Sequence, residues 1–222
     1  MKKILCMLTA LACVFSIVAC DLSGGTNGDE IGNPLEQVVA ASNPTEVVTQ
    51  VIYSFPSSNP LSEYNGKLNG YYKLEIDGSD SIFEYNFGTL ATPEDMEPDG
   101  IVEYNGVFYC KDGKSSFNGD EWEVISADKV DAKLNLVKSR FKTYEKSADE
   151  KKLTATITGA NIESIIGHTI SADGDISFVL KTNGIYLTGI TISYKSTTGA
   201  DVTIDTSYTY NEINLDDKFP TE

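Results

Sequence analysis

Apolar residues recur at every second position along most of this chain. In Lys67–Asp77, Leu68, Tyr72, Leu74 and Ile76 alternate with Lys67, Asn69, Lys73 and Glu75, and Phe83, Tyr85 and Phe87 repeat the spacing in the next segment. A period of two marks a half-buried strand. Glu46–Ser54 follows the Asn43-Pro44 break and is rich in β-branched residues, so it reads as a strand. Asn105-Gly106, between Ile101–Tyr104 and Val107–Lys111, predicts a two-residue hairpin. Asp112-Gly113 and Asn118-Gly119 predict further turns, and Trp122–Ile125 closes the group. Lys142–Ser147 and Lys152–Thr158 return to strand, the second alternating Leu153, Ala155 and Ile157 with lysine and threonines. The last fifty residues predict a three-stranded antiparallel meander, Asp175–Thr182, Ile185–Lys195 and Asp201–Tyr210, joined at Asn183-Gly184 and at Ser196–Ala200.

Three stretches change period. Between Ser126 and Phe141, the apolar residues Val130, Leu134, Val137 and Phe141 fall at helical spacings, with Ser126 as cap and Asp128 in the first turn. Pro34–Ser42 places Leu35, Val38 and Val39 on one face behind a proline at the first helical position. Asn161–Ile166 carries Ile162, Ile165 and Ile166 and ends at Gly167, a usual terminator. Clean alternation buries one face of an antiparallel sheet and wets the other. The three helices are the available cover for the buried face. A β-sandwich would leave the 126–141 helix without a role. The expected fold is therefore α+β: a long, curved antiparallel sheet with a few short helices packed on its apolar face, forming one domain over 34–222.

The first residues change the picture from fold to address. Lys2 and Lys3, the apolar run Ile4–Val18 and the small residue Ala19 follow the order of a secretory signal, here residues 1–19. The run is shorter than the roughly 20 residues that a membrane-spanning helix needs. Ile17-Val18-Ala19-Cys20 resembles the lipobox of bacterial lipoproteins, against the alternative of an ordinary signal with an incidental cysteine. The resemblance implies that Cys20 is lipidated on sulfur, with acyl chains such as palmitate, and becomes the mature N-terminus. It also implies export to the outer face of the cell membrane, or to the periplasmic leaflet in a two-membrane cell. Asp21 resembles the inner-membrane retention signal of some two-membrane bacteria. Two acyl chains suffice for stable anchoring. Asp21–Asn33, with four glycines, reads as a tether of about 20 Å by chain statistics.

Loss of residues 1–19 would remove two lysines and no acid, leaving 15 basic residues against 33 acidic ones, a formal charge of −18. Such a body is repelled by nucleic acid and by anionic lipid, which excludes nucleic acid as a partner. Arg140 is the single arginine, which argues against bidentate carboxylate or phosphate recognition. Cys6, Cys13 and Cys20 belong to the signal and its boundary, so Cys110 is the one other cysteine expected in the mature chain, no intramolecular disulfide is expected and a core must supply stability. Roughly 200 residues suffice, since a domain of that size buries about 70% of its unfolded surface.

The lipobox, an early helix, a meander of long strands, a central helix and a final hairpin set ending near Pro220 together resemble the half-barrel carriers of bacterial envelopes, the Lol and LppX/LprG type. The resemblance spans most of 34–220 and rests on order and pattern, with no motif residue to carry over as a site. It implies a space between sheet and helices that holds an acyl chain or a lipidated partner. A solid core is the other outcome that such packing allows.

Candidate chemistry is sparse. Asp95, Glu97, Asp99 and Gly100, with Val102, fit the start of a calcium loop, but position twelve is Gly106 where a bidentate Glu is required. An acidic turn is the plainer reading. His168, the single histidine, would need Cys110 or a serine as partner in nucleophilic catalysis. No G-x-S-x-G or cysteine signature supports that, so His168 reads as a helix-end residue and Cys110 as a small hydrophobe in a strand. No acid pair is marked for glycoside hydrolysis, and zinc spacing is absent. The aromatics Tyr71, Tyr72, Tyr104, Phe108, Tyr109 and Trp122 cluster between 67 and 125, and read as core bodies with wet hydroxyls or as a surface that stacks sugars.

The expectation is thus a non-enzymatic lipoprotein without cofactor or metal, holding an apolar ligand or lipidated partner near the membrane through Cys20. The alternative is a surface lipoprotein that binds a protein or glycan through its wetted sheet face and acidic loops.

Overall fold

Among the described residues eleven strands dominate, all paired antiparallel where their registers are defined. The structure, a computed structural model, describes residues 35, 38, 42–91, 100–124, 136, 138–166 and 170–220. The strands are β1 (Glu46–Ser54), β2 (Gly70–Asp77), β3 (Asp80–Leu90), β4 (Ile101–Lys111), β5 (Lys114–Phe117), β6 (Glu123–Val124), β7 (Thr143–Lys146), β8 (Lys152–Thr158), β9 (Asp175–Thr182), β10 (Leu187–Lys195) and β11 (Asp201–Thr209). One helix, α1 (Gly159–Ile166), is described in full. The described residues fall into two compact units. One holds the described residues of Met1–Asn43 and Lys129–Thr197, the other those of Pro44–Asp128 and Thr198–Glu222.

The first unit is a four-stranded sheet, β10-β9-β8-β7. Strict alternation in β8 and β9 sends Leu153, Ile157, Ile176, Phe178 and Leu180 inward, each with no exposed surface. Alpha-helix α1 follows β8 directly and packs on β8 and β9. Its Ile162 and Ile165, three residues apart and so on one face, are fully buried. Leu35 and Val38 are helical residues, and Leu35 is buried. Ser42 Oγ donates to the Val38 carbonyl at 2.7 Å and accepts from the Leu187 amide at 2.8 Å, which satisfies a hydroxyl with no exposure.

The second unit is a seven-stranded sheet in the order β6-β5-β4-β3-β2-β1-β11. Strand β1 lies between β2 and β11, pairing Val47 with Leu74 on one side and with Tyr208 on the other. Among its inward residues Val47 is fully buried, and Thr49 meets Thr206 hydroxyl to hydroxyl at 2.8 Å. Past β11 the chain runs back over the opposite face of this sheet, with Leu215 buried and a 3₁₀ turn at Asp216–Lys218.

Several expectations change. Asn105-Gly106 is no hairpin, because β4 runs unbroken from Ile101 to Lys111 and pairs with β3 throughout. Gly106 lies opposite Tyr85, and a Cβ there would meet the Phe117 ring at 2.7 Å and the Tyr85 hydroxyl at 2.8 Å. The glycine makes room for two rings. Strand β10 starts at Leu187 rather than Ile185, because Asn183 Oδ1 accepts from the amides of Ile185 and Tyr186 at 2.9 and 2.8 Å and draws both into the turn. Of the 126–141 helix, the described part holds a 3₁₀ turn, Lys138–Arg140, and no α-helical residue. The remainder lies outside the described residues, as do most of Pro34–Ser42, Gly167 and all of 1–33. Phe141 is buried beside Phe178, with ring centroids 6.2 Å apart. The turns at Asp112-Gly113 and Asn118-Gly119 stand as expected, all four residues at positive φ. No helix among the described residues is long and apolar enough to cross a membrane.

Candidate functional site

The aromatic residues of 67–125 divide between the two faces of the second unit's sheet. Residues directly opposite across a ladder share a face. The registers Tyr72↔Tyr85, Phe83↔Phe108, Phe87↔Tyr104 and Phe108↔Phe117 therefore gather these seven rings on one side. They form a continuous ladder. Tyr72 and Phe87 have ring centroids 6.1 Å apart, Phe87 and Tyr104 5.2 Å, Tyr85 and Phe108 6.2 Å, and Phe108 and Phe117 4.7 Å. Such spacings are those of favourable aromatic pairs. Tyr72 and Tyr85 are buried, Phe83, Phe87, Tyr104 and Phe108 are half-buried, and Phe117 is 38% exposed. Burial pushes the hydroxyls of Tyr72 and Tyr85 above the ordinary tyrosine range, so both stay neutral. On the same face Tyr208 is buried, and its hydroxyl has no hydrogen-bond partner among the described residues.

The opposite face carries Tyr71, Lys73 and Glu75 on β2 and Tyr109 and Lys111 on β4. Alternation assigns this side to solvent, yet Glu75 is 8% exposed. The C-terminal segment covers it. Lys218 Nζ donates to Glu75 Oε1 at 2.5 Å, and Lys73 lies 3.4 Å from the same oxygen and 3.0 Å from Glu46. Burial alone would raise the Glu75 carboxyl. The Lys218 hydrogen bond and the Lys73 charge outweigh it, and the carboxyl is held below its ordinary range.

Further along this face, Phe219 reaches Tyr109 (6.3 Å between ring centroids) and Trp122 (6.4 Å), while Lys111 Nζ stands 4.8 Å over the Phe219 ring. Here the β4–β5 hairpin, Trp122 and the C-terminal segment enclose a cleft of about 420 Å³. Lys111, Asp112, Lys114, Trp122, Asp216 and Phe219 line it. Asp112 and Gly113, at φ 51° and 75°, turn the hairpin so that Lys111 and Lys114 stand opposite each other. Lys111 Nζ is 3.6 Å from Asp216 Oδ1.

Of the singled-out residues, Tyr72, Tyr104 and Phe108 join the ladder, while Tyr71 and Tyr109 take the other face and Trp122 the cleft. Cys110 is half-buried on β4, and burial pushes its thiol upward, which opposes thiolate formation. His168, Cys20 and Asp95–Asp99 lie outside the described residues, whereas Gly100 is a left-handed turn residue at φ 68° leading into β4. Among the described residues no three metal-ligating side chains converge. Phe219 and Asp216 were not anticipated from sequence. Their signal was Leu215 and Phe219, two apolar residues in an acidic tail that need cover. No family model matches the chain, and a search of curated proteins finds no relative.

Proposed function

We propose that the chain is an exported, lipid-anchored, non-enzymatic protein of the bacterial cell envelope. It holds an acyl chain, of a lipid or of a lipidated partner, against the aromatic face of β2–β5. The observation that carries this reading is the ladder's incomplete burial. In the first unit the inward side chains of β8 and β9, Leu153, Ile157, Ile176, Phe178 and Leu180, have no exposure. The ladder keeps four of its rings half-buried and Phe117 38% exposed.

Aromatic surface of this kind suits methylenes. A chain of a dozen methylenes has about 10 kcal/mol of transfer free energy available before the cost of association. The rings offer no charge and few polar atoms, so a ligand is held by area rather than by a specific headgroup contact. Anchoring at Cys20 and a tether of about 20 Å place the body beside its own membrane. There it receives, holds or hands over a ligand rather than ferrying it across an envelope.

Titration with a pyrene-labelled fatty acid tests the reading. Saturable binding that weakens at least tenfold in Phe108→Ser is expected, and absence of saturable binding contradicts it. The anchor has its own test. Cys20→Ser should lack the lipid mass shift, and an unchanged mass and detergent partitioning would contradict lipidation.

A further inference from the structure

The Trp122–Phe219 cleft lies on the face of the sheet opposite the ladder, so it is a separate surface with its own chemistry. Its volume, about 420 Å³, falls within the usual 300–1,000 Å³ range of small-molecule sites. Its walls combine two aromatic rings, tilted 56° to each other, with two lysines and two aspartates. From this combination we infer that the cleft binds a neutral saccharide unit of a glycan.

Charge decides between ligand classes. A cation such as choline seeks an aromatic face. Lys111 already occupies that position over Phe219, and Lys114 stands beside it. An anion would be drawn to the two lysines but repelled by Asp112 and Asp216, in a chain of net charge −16. A polyhydroxylated ring uses all four groups. Its hydroxyls donate to the aspartate oxygens and accept from the ammonium groups in charge-assisted hydrogen bonds. Its C–H face packs on Trp122, which Phe219 flanks at 6.4 Å between ring centroids, and the indole supplies apolar area at low conformational cost. The backbone of the cleft floor is set by β4–β5 pairing at Lys111 and Lys114 and by the left-handed turn at Asp112.

Trp122 is the single tryptophan of the chain, so its emission reports this cleft alone. The full chain in detergent micelles is titrated with neutral oligosaccharides of glucose, galactose, mannose and N-acetylglucosamine, with oligogalacturonate and with choline. A saturable change with at least one neutral oligosaccharide is expected, and none with oligogalacturonate or choline. Affinity should fall at least tenfold in Phe219→Ala and in Asp112→Gly. The second variant keeps the positive-φ turn and removes one acceptor. Binding of the pyrene-labelled fatty acid should be unchanged in Asp112→Gly, which separates this cleft from the ladder. No saturable change with any neutral sugar, a change only with a charged probe, or full affinity in both variants would overturn the inference.

Discussion

Lys218 Nζ and Glu75 Oε1, 143 positions apart in sequence, meet at 2.5 Å. The pair fastens the end of the chain to β2 and covers a carboxylate that alternation alone would leave wet. Lys218→Ala should lower stability by about 1–2 kcal/mol, since Glu75 keeps Lys73 but loses its closest donor. Urea unfolding followed by circular dichroism measures this. A midpoint equal to the wild type would mean that the C-terminal segment is not held through this pair.

The same carboxylate gives an acid dependence. The folded state holds Glu75 below its ordinary range, so the unfolded chain binds the proton more readily. Its contribution is complete above the unfolded value and is lost as pH falls through the folded one. Between pH 7 and pH 3 the wild type should therefore lose more stability than Glu75→Gln. Equal losses in the two proteins would show that Glu75 is not the group titrating.

Gly106→Ala should destabilise by about 1–3 kcal/mol, because a Cβ meets the Phe117 ring at 2.7 Å and the Tyr85 hydroxyl at 2.8 Å. Phe117→Ala in the same chain should recover part of the loss, since it removes one of the two obstacles. Thermal unfolding of the single and double variants tests it. No loss in Gly106→Ala would remove the packing role given to this glycine.

The strands were legible in the sequence because period-two alternation records which face is buried, as Leu153, Ala155 and Ile157 show on β8. Helix α1 was legible through helical spacing instead, with Ile162 and Ile165 three residues apart on one face. Asn105-Gly106 misled because the pair's turn preference is local, whereas Gly106 answers to rings brought from β3 and β5. Glu75 misled because the group that meets it, Lys218, comes from the far end of the chain. The ladder was half legible: clustering of aromatics was visible, but their partition between two faces needed the registers. The cleft was the least legible, since Trp122 and Phe219 meet only through tertiary structure.

Tyr208→Phe should leave stability unchanged or raise it by about 1 kcal/mol, because the hydroxyl is buried without a hydrogen-bond partner among the described residues. Burial also pushes that hydroxyl far above the ordinary tyrosine range, so it does not ionise in the folded protein. A clear fall in the unfolding midpoint of Tyr208→Phe would show that the hydroxyl makes a bond that stabilises the fold.

The most direct test of the account is mass spectrometry of organic extracts from residues 21–222, expressed in a bacterial host and purified without detergent. An acyl lipid co-purifying in roughly stoichiometric amount, and reduced in Phe108→Ser, is the result predicted for a face that holds acyl chains. No lipid above background from the folded wild-type protein would contradict it.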